Sequence, residues 1–432
     1  MPGTMSTLDG LLKDDYGPRL RKMLPTVVPV LDMFESQEDV QWVGREHIEP
    51  IHVNRNRGGG AVSEGGPKVS AGNQQVEQMR IPCRYNTFPI ELTEQVIQAT
   101  RSDSGAFARA MRLEMNGILK DARLSRGFYL WGNGSGVRAF LNGALTTTAM
   151  TLDAPGGVAG ATHGTRFLNA GDWVQFINPL TGGLRGTTAY QISRNLAAGT
   201  GAVLTAAGTG TDNDYVVKVT MDGTATITIP GVEYQKAQMG LLGMVDDGTY
   251  LSTYFGLSRL DFPHALNASV TASAGVLSAD LLQRPIDTVD TVAGGKTAAI
   301  WSEHAARRAY LTITESDRRF VGGDLKSPDA GTAAAKTPTG KQGIFFGGIP
   351  WYTDPFCPYG MIFGLDTSSA YRFTMEPGAW ANRGGSMWQA HASKENTWEA
   401  KYNIYDNFAI LDPATCWRLD SVTVSVVVAH VV

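Results

Sequence analysis

One long stretch of the 432-residue chain repeats its apolar positions with a helical period. In "SDSGAFARAMRLEMNGILKDARLSRGFYL" (102–130), Phe107, Met111, Met115, Ile118 and Ala122 recur every three or four residues and predict one buried stripe. Ser102 or Ser104 can cap the start, and the glycines between 132 and 136 end it. At about 1.5 Å per residue this helix is roughly 40 Å long, enough to organise a whole domain. A different period precedes it. Met79, Ile81, Cys83 and Tyr85 alternate against Gln78, Arg80 and Arg84, which predicts a strand. The stretch "VQWVGREHIEPIHVN" before it looks polar on both faces and pairs with it as a ribbon. The segment between them, "NRNRGGGAVSEGGPKVSAGNQQ", has almost nothing to bury. A two-stranded ribbon is marginal in water, and glycines raise its ordering cost. It therefore calls for another surface to lie on, which points to a neighbouring subunit.

Residues 144–232 change texture. They hold 17 threonines and 14 glycines but only nine Asp, Glu, Lys or Arg, and short alternating runs such as "GDWVQFI", "YVVKVTM" and "TATITI". Tyr215, Val217, Val219 and Met221 share one face, and the stretch predicts an inserted antiparallel barrel or sandwich. From 233 to 384 the pattern is mixed. "SADLLQRPIDTVDTV" predicts a helix kinked at Pro285, and "SEHAARRAYLTITE" a helix opened by Ser302. "GGIPWYTDPF" and "GMIFGLD" predict strands after a loop at about 322–343. The tail alternates as a hairpin, with Trp398, Ala400, Tyr402 and Ile404 on one side. Residues 1–35, interrupted by Pro18, Pro25 and Pro29, predict an arm.

Composition sharpens this. The chain is too long for one core. Its 18% of charged residues falls below the roughly 25% usual for soluble domains, as if copies of itself covered much of the surface. A net charge of −4 excludes a surface built wholly for nucleic acid but allows one basic face. Lys13, Arg19, Arg21 and Lys22, with Arg109, Lys120, Arg123 and Arg126 on the long helix, are either solvated charges or such a face toward a packaged polyanion. Cys83, Cys357 and Cys416 are widely spaced and predict reduced, buried thiols of a cytosolic setting. The N-terminus lacks a signal-peptide core, and "VSVVVAHVV" is far short of the roughly 20 residues of a membrane helix, so a soluble intracellular product is expected.

Catalytic chemistry finds no foothold. "DTVAGGKT" (290–297) and "AKTPTGKQ" (335–342) imitate phosphate loops but lack a strand before and a helix after them. "GNGSG" (132–136) follows a helix instead of preceding one. The seven histidines make no HxH or HExxH cluster, and "TDNDY" lacks the glycine and distal glutamate of a calcium loop. No enzyme, metal or cofactor is expected.

The order of elements resembles the major capsid proteins of tailed bacteriophages, the Hong Kong 97 fold. The resemblance rests on the glycine-tipped ribbon, on "FPIELTEQVIQATRSD" entering the long helix with its "GNGSG" end, and on "GMVDDGTYLSTYFGLSR". It rests also on "AAIWSEHAARRAYLTI", "GGIPWYTDPFCPYGMIFGLD" and "WEAKYNIYDNFAILDPATCWRL". It implies an α+β fold with an N-terminal arm (1–35), an E-loop (36–92) and a peripheral domain with a spine helix (93–143 and 385–432). An inserted all-β barrel or sandwich (144–232) and an axial domain (233–384) complete it. It further implies a coat protein assembling as hexamers and pentamers into an icosahedral shell around double-stranded DNA. Such a shell forms in the bacterial host cytoplasm as the virion capsid, with no membrane. Scaffolding protein, portal and a decoration protein are the implied partners besides the chain itself. The E-loop residues Arg55, Arg57, Gly58, Gly59, Gly60, Glu64 and Lys68 would touch a neighbouring subunit, and the basic set would face DNA. Some members crosslink an E-loop lysine to an asparagine. Lys68 and Asn403 or Asn407 match no motif for this, so noncovalent locking is expected. The lack of a long helical N-terminal extension implies an unprocessed chain. Two other readings stand beside it: an encapsulin-like nanocompartment shell, disfavoured by length and the β insertion, and a β-rich tail or adhesion protein, disfavoured by the long helix.

Overall fold

The computed structural model describes residues 28–36, 39–56, 58–66, 68–95, 104–153, 164–196, 199–219, 233–315, 344–382, 386–390 and 395–424. Lys13, Arg19, Arg21, Lys22, Arg57, Met221, the "TATITI" run and the 322–343 loop lie outside them, as do the side chains of Phe107, Arg109 and Met111. Among the described residues the strands form a five-stranded sheet, a closed barrel, a six-stranded sheet and three two-stranded ribbons.

The five-stranded sheet is organised by one strand, Thr397–Ile410. Its alternation buries Ala400, Ile404 and Phe408 and leaves Lys401 exposed. It pairs antiparallel with Ala370–Trp380, Arg84–Thr93 and Gln389–Ala390, while Asp39–Gln41 adds in parallel to Ala370–Trp380. The tail is therefore not a hairpin. The turn Pro413–Thr415 instead carries the chain into the six-stranded sheet, where Trp417–Leu419 lies between Ser269–Thr271 and Ile362–Leu365. Ala299–Ser302, Ile349–Thr353 and Ile344–Phe346 complete that sheet. Its packing depends on Gly364: a Cβ there would sit 2.0 Å from the Trp417 indole. Ser302 is not a helix cap. It is the buried end of a strand whose hydroxyl accepts the Trp351 indole N–H at 2.7 Å, and the helix His304–Glu315 begins beyond it. The helix Ala279–Ala293 runs through the buried Pro285 as one element, capped by Ser278 and ended by Gly294 at φ 63°.

The barrel runs Tyr215–Lys218, Val137–Leu141, Ala149–Asp153, Gly201–Leu204, Tyr190–Asn195, Trp173–Ile177 and back to the first. Closure removes sheet edges, and Leu141, Met150, Leu152, Val174, Phe176 and Leu204 fill the interior. Val217 and Val219 pack on its outside with Ile177 and Ala189. The strand Val137–Leu141 belongs to the barrel although it precedes residue 144.

Residues 28–36 are not an arm. Val28, Val30, Leu31 and Phe34 are fully buried in the largest core cluster, and Pro29 opens the helix Pro29–Ser36. Proline in a first turn loses no helical hydrogen bond, so it starts this helix where a breaker was anticipated. The long helix spans Ser104–Leu130. Met115 and Ile118 are half-buried and Ala122 buried, and among the described side chains burial increases toward the C-terminal end. There a Cβ on Gly127 would meet Val28 Cγ1 at 2.9 Å, which sets how closely the two helices approach.

Candidate functional site

The ribbon pairs Glu46–Asn54 with Gln75–Pro82, in register from Glu46 opposite Pro82 to His52 opposite Val76, with a shift before Asn54 meets Gln75. That register puts Ile51, Val53, Met79 and Ile81 on one face, and Ile48, Pro50, Val76 and Arg80 on the other. The first face is seated on its own chain. Met79 and Ile81 are fully buried and Val53 nearly so, and the Arg80 N–H donates to Phe255 O at 3.0 Å. The first strand is thus not polar on both faces, because Ile51 and Val53 face the core. The predicted alternation also fails beyond Cys83. Arg84 begins a strand of the five-stranded sheet, and Tyr85 stands 61% exposed against Tyr405.

The tip, residues 55–74, has a different character. Asn56 organises it: its Nδ2 donates to Gly72 O at 2.8 Å, its Oδ1 accepts from Gly58 N at 2.7 Å, and its own N–H donates to Gln74 Oε1 at 3.0 Å. Gly58 is required here, since a Cβ would lie 2.2 Å from Gly72 N, whereas Gly59 and Gly60 face open space. Arg55, Glu64 and Lys68 are exposed, and so are the apolar Val62, Val69 and Val76. The tip folds back on itself through polar contacts and leaves Val62 and Val69 about half exposed, as is Val76 at the end of the stem.

Of the expected basic set, the side chains of Lys120, Arg123 and Arg126 are described, and their settings differ. Lys120 is exposed. Arg123 is half-buried and pairs with Asp32. Arg126, expected to face DNA, is 4% exposed and pairs with Asp406 and, at 2.8 Å, with Glu35. A desolvated guanidinium keeps such partners, because losing one would strand a buried charge. Arg126 is therefore an internal bridge between the long helix, the N-terminal helix and the strand Thr397–Ile410.

Two buried charge clusters escaped sequence reasoning. Asp406, fully buried, accepts Arg126, Gln238 and, at 3.0 Å, Arg372 Nε. Burial pushes its carboxyl above the usual range, against the pull of the two arginines. Arg418, fully buried, donates to Asp420 at 2.8 Å, to Asp246 at 3.2 Å and to the carbonyls of Leu242 and Val245. Partners lie up to 280 residues apart, so no local pattern announces them. Among the described residues no group of His, Cys, Asp and Glu could hold a metal ion, and no helix is long and apolar enough to cross a membrane.

Against solved structures, the fold matches the cyanophage A-1(L) capsid asymmetric unit with a TM-score of 0.57 at 11% identity, covering 97% of this chain and 99% of that one. This is a phage capsid-protein fold. The capsid of a native GTA particle shares it at TM-score 0.51 and 11% identity, over 98% and 100% of the two chains. The capsid of an empty GTA particle does so at 0.51 and 10%, over 98% and 99%. No protein-family model and no curated protein matches the chain. In all three pairs the match spans nearly the whole of both chains.

Proposed function

We propose that this chain is the major capsid protein of a tailed bacteriophage, of the Hong Kong 97 type, built to tile with copies of itself. One observation carries the reading: a capsid fold that extends over 97% of this chain and 99% of its cyanophage counterpart. The ribbon fits the part of an E-loop. Its stem is anchored on its own subunit, while its tip offers Arg55, Glu64, Lys68 and the half-exposed Val62 and Val69 to a neighbour; Arg57, Gly58, Gly59 and Gly60 complete that contact set. Hexamers and pentamers would close an icosahedral shell around double-stranded DNA, individually modest contacts being multiplied by symmetry. Lys120 on the helix, with Arg109 and the preceding Lys13, Arg19, Arg21 and Lys22, would neutralise phosphate without reading sequence. Scaffolding protein, portal and a decoration protein remain the partners of this reading.

The test removes residues 55–72 and leaves the stem. The variant subunit is expected to fold, because Met79, Ile81 and Val53 keep their cover, and electron microscopy is expected to show no stable closed shells. Normal, equally stable shells would refute the tip's role. Particles made with the complete set of phage genes are expected to hold nuclease-protected double-stranded DNA; a protein cargo in its place would favour the nanocompartment.

A further inference from the structure

Three asparagines precede a glycine in this chain: Asn116, Asn133 and Asn142. Asparagine is a thermolabile residue, and glycine after it is the least protective neighbour, because no side chain shields the backbone nitrogen that attacks the amide. The fold treats the three pairs differently. Asn116 lies inside the helix Ser104–Leu130, where the ladder of backbone bonds holds the next N–H. Asn133 is half-buried, and its Oδ1 accepts from Ser135 N at 3.1 Å and from the Ser135 hydroxyl. Asn142 is exposed at the corner between the barrel strands Val137–Leu141 and Ala149–Asp153, and among the described residues nothing bonds its side-chain amide. The backbone of that corner is held firmly. Asn142 N donates to Thr151 O at 3.0 Å, and the Thr151 hydroxyl donates to Asn142 O. Gly143 N, at φ 88°, donates to Asp212 Oδ1 at 2.7 Å. Asp212, from the "TDNDY" run, is itself oriented by the Asn213 amide, which donates to its other oxygen at 2.9 Å. The one nitrogen able to attack Asn142 is therefore occupied by a carboxylate.

We propose that Asn142 is a latent site of spontaneous deamidation and that Asp212 restrains it by holding the Gly143 N–H. In the reaction a bond forms from Gly143 N to Asn142 Cγ, the Cγ–Nδ2 bond breaks, and Nδ2 leaves as ammonia with the proton that Gly143 N gives up. Water then opens the cyclic imide at either carbonyl and leaves aspartate or isoaspartate. Water is the only co-reactant, and nothing is oxidised or reduced. Attack requires Gly143 N to shed its proton and to turn toward the side chain. The Asp212 contact opposes both. Negative charge beside the nitrogen disfavours an amide anion, and a charge-assisted hydrogen bond fixes the peptide plane. The products differ in their effect on the barrel. Aspartate sets a second carboxylate near Asp212, whereas isoaspartate reroutes the backbone through Cβ at a corner pinned to Thr151 on both its N–H and its carbonyl.

The full chain is aged at mildly alkaline pH, and peptide mass spectrometry follows the conversion of amide to acid at each of the three asparagines. The same chain unfolded in guanidinium gives the unrestrained rate. Asn142 in the folded parent is expected to convert at least about tenfold more slowly than in the unfolded chain, the worth of a hydrogen bond to a charged acceptor. Asp212→Ala is expected to restore about that tenfold at Asn142 while Asn116 and Asn133 keep the parent's rates. Asp212→Asn, which retains an acceptor without the charge, is expected to fall between. Hydrogen exchange at the barrel amides of Leu152 and Leu204 shows whether the barrel is intact; if Asp212→Ala loosens it, Asp212→Asn against the parent decides alone. A folded parent that loses Asn142 as fast as the unfolded chain, or an intact Asp212 variant no faster than the parent, would overturn the assignment.

Discussion

Replacing Arg418 by methionine tests the buried-charge architecture most directly. The substitution keeps an unbranched side chain of similar length and deletes the guanidinium from a site with no exposure. It leaves Asp246, fully buried, and Asp420, 8% exposed, facing each other without their cation. It also deprives the carbonyls of Leu242 and Val245 of a donor and removes the cation lying 4.9 Å from the Tyr250 ring centroid. Breaking one buried pair costs about 3–5 kcal/mol, and each orphaned carbonyl about 1–3 kcal/mol when no water reaches it. These terms overlap, so the smaller figure is the floor. A loss of about 3 kcal/mol is roughly a 150-fold shift, against a typical stability of about 5–15 kcal/mol. Urea denaturation gives the overall loss. Hydrogen exchange at Gly248, Tyr250 and Leu251, whose amides donate to Asp246, gives the local one. Arg418→Lys is expected to fall between, because an ammonium keeps the charge but not the planar fork. Adding Asp246→Asn and Asp420→Asn to the methionine variant is expected to recover most of the loss, since no charge is then stranded. A methionine variant within about 0.5 kcal/mol of the parent, at unchanged denaturant slope, would refute the reasoning.

Other outcomes follow from single contacts. Gly364→Ala is expected to cost about 3 kcal/mol or more in a urea titration, because the Trp417 ring and a central strand cannot both give way; Trp417→Leu in the same chain is expected to restore part of it. Burial pushes the Cys83 thiol to about 11 and Cys416 to about 12, and raises Cys357 well above its ordinary range. At pH 8 all three are protonated and covered, so a disulfide-forming reagent is expected to label them only after denaturant is added.

What the sequence disclosed was local periodicity. The long helix, the burial of Met79 and Ile81, and the shared face of Val217 and Val219 all follow from side chains repeating every 3.6 or two residues. What it concealed depended on partners far along the chain. Arg126 looks like any solvated helix charge until Asp406 arrives 280 residues later. Tyr85 continues an alternation on paper, yet the backbone changes sheets at Cys83 and turns it outward. Pro29 carries a breaker's identity and a starter's position, and only the burial of Val28 to Phe34 separates the two. The ribbon was legible in part. Its glycines and charges announced an uncovered tip, but the two residues that seat its first strand, Ile51 and Val53, were lost among polar neighbours.

Strand Thr397–Ile410 ends only a short turn before Trp417–Leu419 enters the other sheet. The two sheets are consequently wired in series along one covalent backbone, with nothing slack between them. A tug on the outer sheet arrives at Trp417 almost undamped, and Gly364 beneath it leaves that ring little room to yield. The stretch from 397 to 419 thus joins the two sheets through the six residues 411–416.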